Sequence, residues 1–84
     1  PITGIIKIPS IVPRNQPLMI KGLPDTQNSL YITDIRGVVV VYAKQYANGW
    51  IPGNLASGMY FYQLVYRDHK GKLQRMTGKI FITD

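Results

Sequence analysis

Two short segments of this chain, residues 34–37 and 68–71, have the form Asp-x-x-Gly, and each lies between two runs of β-branched and aromatic residues. An Asp that opens a turn accepts a hydrogen bond from the backbone two residues later, and a Gly at the fourth position adopts a positive φ at low cost. Each segment therefore predicts a tight turn that closes an antiparallel hairpin. Two such hairpins constrain a chain of 84 residues to a small β-rich domain.

The rest of the sequence is also divided into short apolar runs separated by residues that favour turns. Eight glycines, six prolines and the absence of glutamate disfavour long helices. The apolar content of 45% is sufficient for the core of one small domain. We therefore expect an all-β fold, an antiparallel β-sandwich of about seven strands with Greek-key connections. The predicted strands are residues 5–8, 18–21, 30–33, 38–42, 50–51, 59–67 and 73–83.

The last predicted strand alternates between apolar and basic side chains, which indicates one buried face and one basic, solvated face. The strand before it is apolar on both faces, as is typical of a central strand that is either covered on both sides or partly amphipathic. At its start, Leu55, Gly58 and Tyr60 resemble the tyrosine corner of immunoglobulin-like sandwiches, in which the hydroxyl bonds to upstream backbone. In the last strand the inward set is Met76, Gly78, Ile80 and Ile82, and the outward set is Arg75, Thr77, Lys79 and Phe81.

The residue types that perform catalysis are scarce in this chain. It has no cysteine, which excludes disulfides and thiolate metal sites. His69 is the only histidine and falls in a predicted turn, and Asp34 and Asp68 open the two turns. Neither a phosphate-binding loop nor a dinucleotide fingerprint is present. We therefore expect a protein that is not an enzyme and that holds no cofactor or metal ion.

The net charge of +6 is concentrated toward the last hairpin, which carries five basic residues between positions 67 and 79. Basic and aromatic residues together can bind single-stranded nucleic acid. They also protect sheet edges, or form solvated faces that meet an anionic lipid or glycan surface. We do not expect nucleic acid as a partner, because no motif of an RNA-binding or cold-shock domain is present. Trp50 either stacks on a sugar or partner protein, or packs into the core.

Five segments, in order, resemble the C-terminal domain of proteins exported by the type IX secretion system. The closer match is to the type B, gliding-motility-associated class. The family motifs are an I-x-G-L strand end, an L-x-I-x-[ND]-x-x-G hairpin followed by Val-Tyr, a Y-x-N-x-W segment, an L-P-x-G-T-Y-F-Y segment and a closing G-x-I-x-I strand. The segments that resemble them are residues 20–23, residues 30–42, Tyr46 with Asn48 and Trp50, residues 55–62, and residues 72–82.

Two segments depart from the family pattern. The family often opens with an acidic P-N-G-D-G-x-N-D segment, whereas residues 13–17 of this chain contain no carboxylate. The Asp that follows the family's Trp is replaced by Ile51. The resemblance therefore does not extend to an acidic or ion-binding feature there, and the type A class remains an alternative to type B.

The resemblance implies an immunoglobulin-like sorting signal that follows a larger cargo and directs it from the periplasm to the cell surface or the medium. Its partners would be outer-membrane secretion proteins, either a shuttle or a type B-specific component, and the outer-membrane surface is a further candidate. The chain begins with Pro1 rather than Met, so we expect it to be part of a longer protein. We expect residues 1–12 to be a first strand or the end of a linker, and residues 13–84 to be the signal domain.

We expect the partner-binding residues to be Arg75, Lys79, Phe81 and Trp50. The alternative function is a cell-surface adhesion or carbohydrate-binding module, in which exposed aromatic side chains stack on a glycan. No residue is expected to be catalytic or to bind a metal ion. A further set of motif residues is expected to form turns and core rather than bind a partner, namely Gly37, Gly58, Tyr60, Tyr62 and Gly78.

Overall fold

A computed structural model describes residues 6–23, 27–68 and 70–84, and within these residues it contains five strands and no helix. The predicted all-β class is therefore confirmed. Ile5 and His69, which the sequence analysis placed in a strand and in a turn, lie outside the described residues. The strands are β1 (Ile11–Pro13), β2 (Asn28–Thr33), β3 (Val39–Lys44), β4 (Gly58–Arg67) and β5 (Leu73–Thr83).

The five strands form one sheet in the order β1-β5-β4-β2-β3. Three neighbouring pairs are antiparallel, but β1 pairs with β5 in parallel, so the sheet is mixed rather than purely antiparallel. The first edge strand spans the boundary expected near position 12 and joins the sheet through the pair Ile11–Phe81. The two hairpins, β2–β3 and β4–β5, supply most of the sheet.

Both predicted turns are confirmed by their hydrogen bonds. In each, one Asp side-chain oxygen accepts the backbone N–H groups two and four residues later, at distances between 2.9 and 3.1 Å. Gly37 and Gly71 have φ angles of +88° and +80°, which glycine adopts more readily than other residues. Hydrogen bonding to Arg36 holds the pKa of the Asp34 carboxyl below its ordinary value.

The hydrophobic core lies on one face of the sheet, because both long connections cross that face. The connection from β1 to β2, residues 14–27, contributes Leu18 and Ile20, and the connection from β3 to β4, residues 45–57, contributes Tyr46. The strands contribute their inward-facing positions, as the alternation of β5 predicted. The buried hydrophobic residues are Val12, Leu18, Ile20, Leu30, Ile32, Tyr46, Tyr60, Leu64, Ile80 and Ile82.

The expected count of about seven strands and the Greek-key connections are not confirmed. The runs at residues 5–8 and 18–21 meet through a single bridge between Lys7 and Lys21, and residues 50–51 form no strand. The backbone N–H groups of Leu18 and Ile20 donate to the β3–β4 connection instead of to a strand. The layer over the core is therefore made of hydrogen-bonded connections.

The tyrosine corner inferred at the start of β4 has the expected hydrogen bond. The Tyr60 hydroxyl donates to the backbone oxygen of Ala56 at 2.8 Å, and its ring is buried. The bond spans four residues and joins the end of the β3–β4 connection to the first turn-proximal residues of β4. This local feature is one of those that immunoglobulin-like sandwiches share.

Gly78 is packed under the ring of Tyr62, the residue directly opposite on β4. A Cβ atom at Gly78 would lie 2.6 Å from the Tyr62 hydroxyl oxygen, so a side chain there must displace the ring. We expect Gly78→Val to lower the free energy of unfolding by about 1–3 kcal/mol, measured by urea denaturation. In a Tyr62→Ala background the same change should cost clearly less; an equal cost would show that the ring is not what restricts position 78.

Candidate protein-binding surface

The face of the sheet opposite the core is crossed by none of the connections that the structure describes. Strand register places alternate residues of all five strands on this surface, which we call the open face. Its exposed apolar members are Ile11, Val39, Tyr42, Phe61, Leu73 and Phe81, and its basic members are Lys44, Arg67, Arg75 and Lys79.

Exposed apolar side chains are concentrated on the open face. Six of the ten exposed large hydrophobic residues of the described chain lie there, across four of the five strands. Single exposed apolar residues are common on soluble proteins, whereas a contiguous apolar patch usually marks an interaction site. The distribution therefore makes the open face the candidate interaction surface of the described residues.

The charges of the open face have one sign. It carries four basic residues, and no strand residue of the sheet is acidic. Arg14 pairs with Asp84 and Arg36 pairs with Asp34, and in the described part of the chain no carboxylate pairs with Lys44, Arg75 or Lys79. Lys44, Arg75 and Lys79 are therefore basic groups beside apolar side chains that are suited to contact carboxylates or other anions.

Aromatic side chains occupy the middle of the open face. Tyr31 on β2 lies directly opposite Tyr42 on β3, and their ring centroids are 4.9 Å apart. Phe61 follows on β4, and a shallow depression between the strands is lined by Tyr31, Val39, Phe61 and Lys79 among others. Aromatic residues of this kind supply a large contact area with few rotatable bonds.

The structure brings together three of the four residues expected to bind a partner. Arg75, Lys79 and Phe81 are spaced by two or four residues along β5, so all three project from the open face. Phe81 is 43% exposed, although its neighbours on the strand are fully buried. Trp50 lies apart from them: it is half-buried and packs against the core on the other side of the sheet.

Trp50 belongs to a hydrogen-bonded unit that fixes the layer over the core. The Tyr46 hydroxyl donates to the backbone oxygen of Leu18 at 2.6 Å and accepts the N–H of Trp50 at 3.2 Å. The Asn48 side-chain oxygen accepts the N–H of Ile20 at 2.9 Å. Burial raises the pKa of the Tyr46 hydroxyl, because the charged phenolate would lose its hydration. The three residues of the Y-x-N-x-W segment therefore join the two connections.

The other motif residues also have structural roles. Gly37 and Gly58 have positive φ angles in the segments that begin or join strands, and neither would meet another atom through a side chain. Tyr60 forms the tyrosine corner, and Tyr62 covers Gly78. The positive φ angle therefore restricts Gly37 and Gly58, whereas the neighbouring Tyr62 ring restricts Gly78.

Sequence reasoning did not single out Tyr31, Tyr42, Phe61 and Lys44 as members of a candidate site. The alternation of β4 placed Phe61 on the face opposite Tyr60, and the turn at residues 34–37 set Tyr31 against Tyr42. These signals predict which side chains share a face of the sheet, but they do not predict whether that face is exposed to solvent. The exposure depends on where two connections pack, which the strand pattern does not specify.

The described residues contain no group of three or more His, Cys, Asp or Glu side chains that could hold a metal ion. In the same residues no helix is long and apolar enough to cross a membrane. Comparison with known proteins finds no family model, curated protein or solved structure that matches this chain. The geometry of the open face and the sequence motifs therefore carry the functional argument.

Proposed function

We propose that this chain is a non-catalytic C-terminal sorting signal of the type IX secretion system. It directs the cargo joined to it across the outer membrane by binding outer-membrane secretion proteins through the open face. The observation that carries the proposal is the position of Arg75, Lys79 and Phe81, which project together from β5 onto an uncovered apolar and basic surface. The cargo passes through the periplasm and ends at the cell surface or in the medium.

The composition of the open face is suited to protein recognition. Aromatic and arginine side chains dominate the binding energy of many interfaces when a partner excludes water from them. The uncompensated charge of Lys44, Arg75 and Lys79 selects a partner with acidic groups and speeds the encounter with it. An outer-membrane component with an apolar surface and an acidic rim would satisfy both requirements.

The motif residues have structural roles, which supports a proposal in which they maintain the fold and other residues bind the partner. Tyr46, Asn48 and Trp50 fix the layer over the core, and Tyr60 forms the corner that precedes β4. A signal that is recognised in its folded form needs these residues to present a surface, and the open face remains available for contact. In this proposal the fold is a variant of the immunoglobulin-like sandwich, in which connections replace part of the second sheet.

A secretion assay tests the proposal directly. Residues 1–84 are joined to the C-terminus of a fluorescent reporter that carries a periplasmic export signal. The fusion is expressed in a gliding bacterium with an intact type IX system and in a strain that lacks the system. We expect reporter outside the first cells and in the periplasm of the second. Equal retention in both strains, or equal export from both, would overturn the proposal.

A pair of charge-reversal variants separates recognition from folding. Arg75→Glu with Lys79→Glu reverses two charges on the open face, and Lys7→Glu with Lys21→Glu makes the same change at exposed residues outside the sheet. We expect the first pair to trap the reporter in the periplasm and the second to be exported normally. Circular dichroism should show both proteins folded. Normal export of the first pair would exclude the open face as the recognition surface.

A carbohydrate-binding module is the second candidate, favoured by the aromatic side chains on the open face. Tyr42, Phe61 and Phe81 are each more than one-third exposed, and such rings can stack on sugars. Purified protein applied to an array of polysaccharides would show saturable binding that Tyr42→Ala and Phe61→Ala abolish. The same preparation should show no salt-dependent binding to single-stranded oligonucleotides, which a nucleic-acid-binding domain would display.

A further inference from the structure

The strand β3 forms an edge of the sheet whose outer backbone groups have no partner in the described chain. The N–H of Gln45 donates to the backbone oxygen of Asn28, so this pair is hydrogen-bonded. Hydrogen-bonded pairs alternate along antiparallel strands. Ala43 therefore also faces β2, whereas the N–H and C=O groups of Tyr42 and Lys44 point away from the sheet.

The two edges of the sheet differ in their protection. The opposite edge, β1, has three residues and ends in Pro13, and both features prevent further strand pairing. The β3 edge has six residues, no proline and the sequence Val-Val-Val-Tyr-Ala-Lys, which strongly favours strand structure. Its irregular pairing is confined to the end near Thr33, so the outer groups of Tyr42 and Lys44 lie on the regular part.

A groove with both polar and apolar lining runs beside this edge on the core-facing side. It is lined by Val40 and Val41 from β3 and by the connection from Trp50 to Leu55. On the other side of the same strand, Tyr42 and Lys44 lie on the open face. An additional strand would therefore place alternate side chains in the groove and the remaining ones beside a tyrosine and a lysine.

We propose that β3 accepts an extended segment of a partner protein as a sixth strand of the sheet. The segment has apolar side chains at the positions that enter the groove, and a carboxylate at a position that faces Lys44. Backbone hydrogen bonds to Tyr42 and Lys44 supply affinity, and the groove between Val41 and Trp50 supplies specificity. This binding mode is independent of secretion and applies to any partner with such a segment.

Charge favours this occupant over a second copy of the chain. The chain has a net charge of +6, and β3 contains no acidic residue that could face Lys44 of another copy. Two copies joined at β3 would also bring the basic open faces into one continuous surface. A partner segment with a carboxylate avoids both repulsions and compensates the lysine.

The test selects binders from a library of displayed linear peptides long enough to pair with the whole of β3, using the purified protein as bait. We expect enriched peptides that alternate apolar and polar residues and carry an acidic residue. Amide hydrogen exchange should show Tyr42 and Lys44 unprotected in the free protein and protected with peptide, while Ala43 is protected in both. Failure to enrich peptides, or protection elsewhere, would overturn the proposal.

Two kinds of substitution, one in the peptide and one in the protein, test whether backbone hydrogen bonds to β3 determine the affinity. Synthetic versions of the best peptide with alternate amides N-methylated should lose about tenfold in affinity for each hydrogen bond removed, and methylation of the other set should have little effect. On the protein, Tyr42→Pro removes the N–H, whereas Tyr42→Ala retains it, so only the proline should abolish binding. The peptide series uses the unmodified protein, so its result does not depend on whether a protein variant folds. Equal binding by both methylated sets would contradict strand addition.

Sedimentation velocity tests whether a second copy of the chain, rather than a partner segment, pairs with β3. If a second copy pairs through β3, the free protein forms dimers that Tyr42→Pro dissociates, and this result would replace the proposed partner. We expect a monomer at every concentration tested. Because all of these measurements use purified protein, their failure leaves the proposed secretion function to its own assay.

Discussion

Replacing Ile80 by Ala is expected to lower the free energy of unfolding by about 2–5 kcal/mol. Ile80 is fully buried at the centre of β5 and packs into the core beneath the two long connections. Shortening it removes apolar contact and leaves a cavity that the neighbouring strands fill only in part. A small domain has a total stability of about 5–15 kcal/mol, so this one change removes a large share of it. Urea denaturation followed by circular dichroism measures the loss.

Phe81→Ala is the matched control, because Phe81 is the next residue on the same strand and points to the open face. With 43% of its surface exposed, it should contribute about 1 kcal/mol or less to stability. The same variant should impair reporter export, since it removes one of the proposed contact residues. Comparable destabilisation by the two substitutions would mean that the open face is covered, and the proposed docking surface would then be lost.

Tyr46→Phe is expected to have the second-largest effect, lowering the free energy of unfolding by about 2–4 kcal/mol. The hydroxyl is bonded both to the backbone oxygen of Leu18 and to the N–H of Trp50. Its removal leaves two partly or fully buried backbone groups without a partner, each at a cost of about 1–3 kcal/mol. We expect the thermal midpoint to fall by roughly 10–30 °C. Calorimetry of the two proteins measures this difference.

The same hydroxyl makes stability depend on pH in the alkaline range. Burial raises the pKa of Tyr46 above its ordinary value of 10.0, so the folded protein holds this proton more tightly than the unfolded chain does. The contribution is present in full below the unfolded pKa and is lost as pH rises through the folded pKa. The stability difference between wild type and Tyr46→Phe should therefore be constant near neutral pH and shrink above about pH 10.

Tyr42→Phe is the control for Tyr46→Phe, because it removes a tyrosine hydroxyl from an exposed position instead of a buried one. Tyr42 is 55% exposed on the open face, so its hydroxyl is accessible to water. Removing it should change the free energy of unfolding by less than about 0.5 kcal/mol. A loss as large as that of Tyr46→Phe would indicate a general effect of tyrosine substitution. A pH profile that stays parallel in wild type and Tyr46→Phe would contradict the burial of this hydroxyl.

The hairpins could be predicted because their determinants are local. Asp34 and Gly37 supply a side-chain acceptor and a positive φ within four residues, and no distant contact is needed to form the turn. The alternation along β5 is equally local, because successive side chains of a strand point to opposite faces. The tyrosine corner is also short-range, since Tyr60 bonds to a residue four positions earlier. These features were all inferred correctly.

The prediction of a strand at residues 18–21 is wrong, and the cause lies in contacts with a distant part of the chain. Leu18 and Ile20 are apolar and alternate with exposed residues, as in a strand. Their backbone N–H groups, however, donate to the connection that carries Tyr46, Asn48 and Trp50. Those groups are about 30 residues away along the chain, so the competition between a strand and this layer is settled by tertiary contacts.

The sequence by itself determined the all-β class, both turns, the two-faced pattern of β5 and the alignment of Arg75, Lys79 and Phe81 along one strand. Each depends on backbone geometry over a few residues. Only the tertiary structure decided which face remained open, that Trp50 joined the core layer, and that β3 became an unprotected edge. These outcomes follow from two long connections packing on the same side of the sheet, where the burial of Leu18, Ile20 and Tyr46 outweighs any local preference.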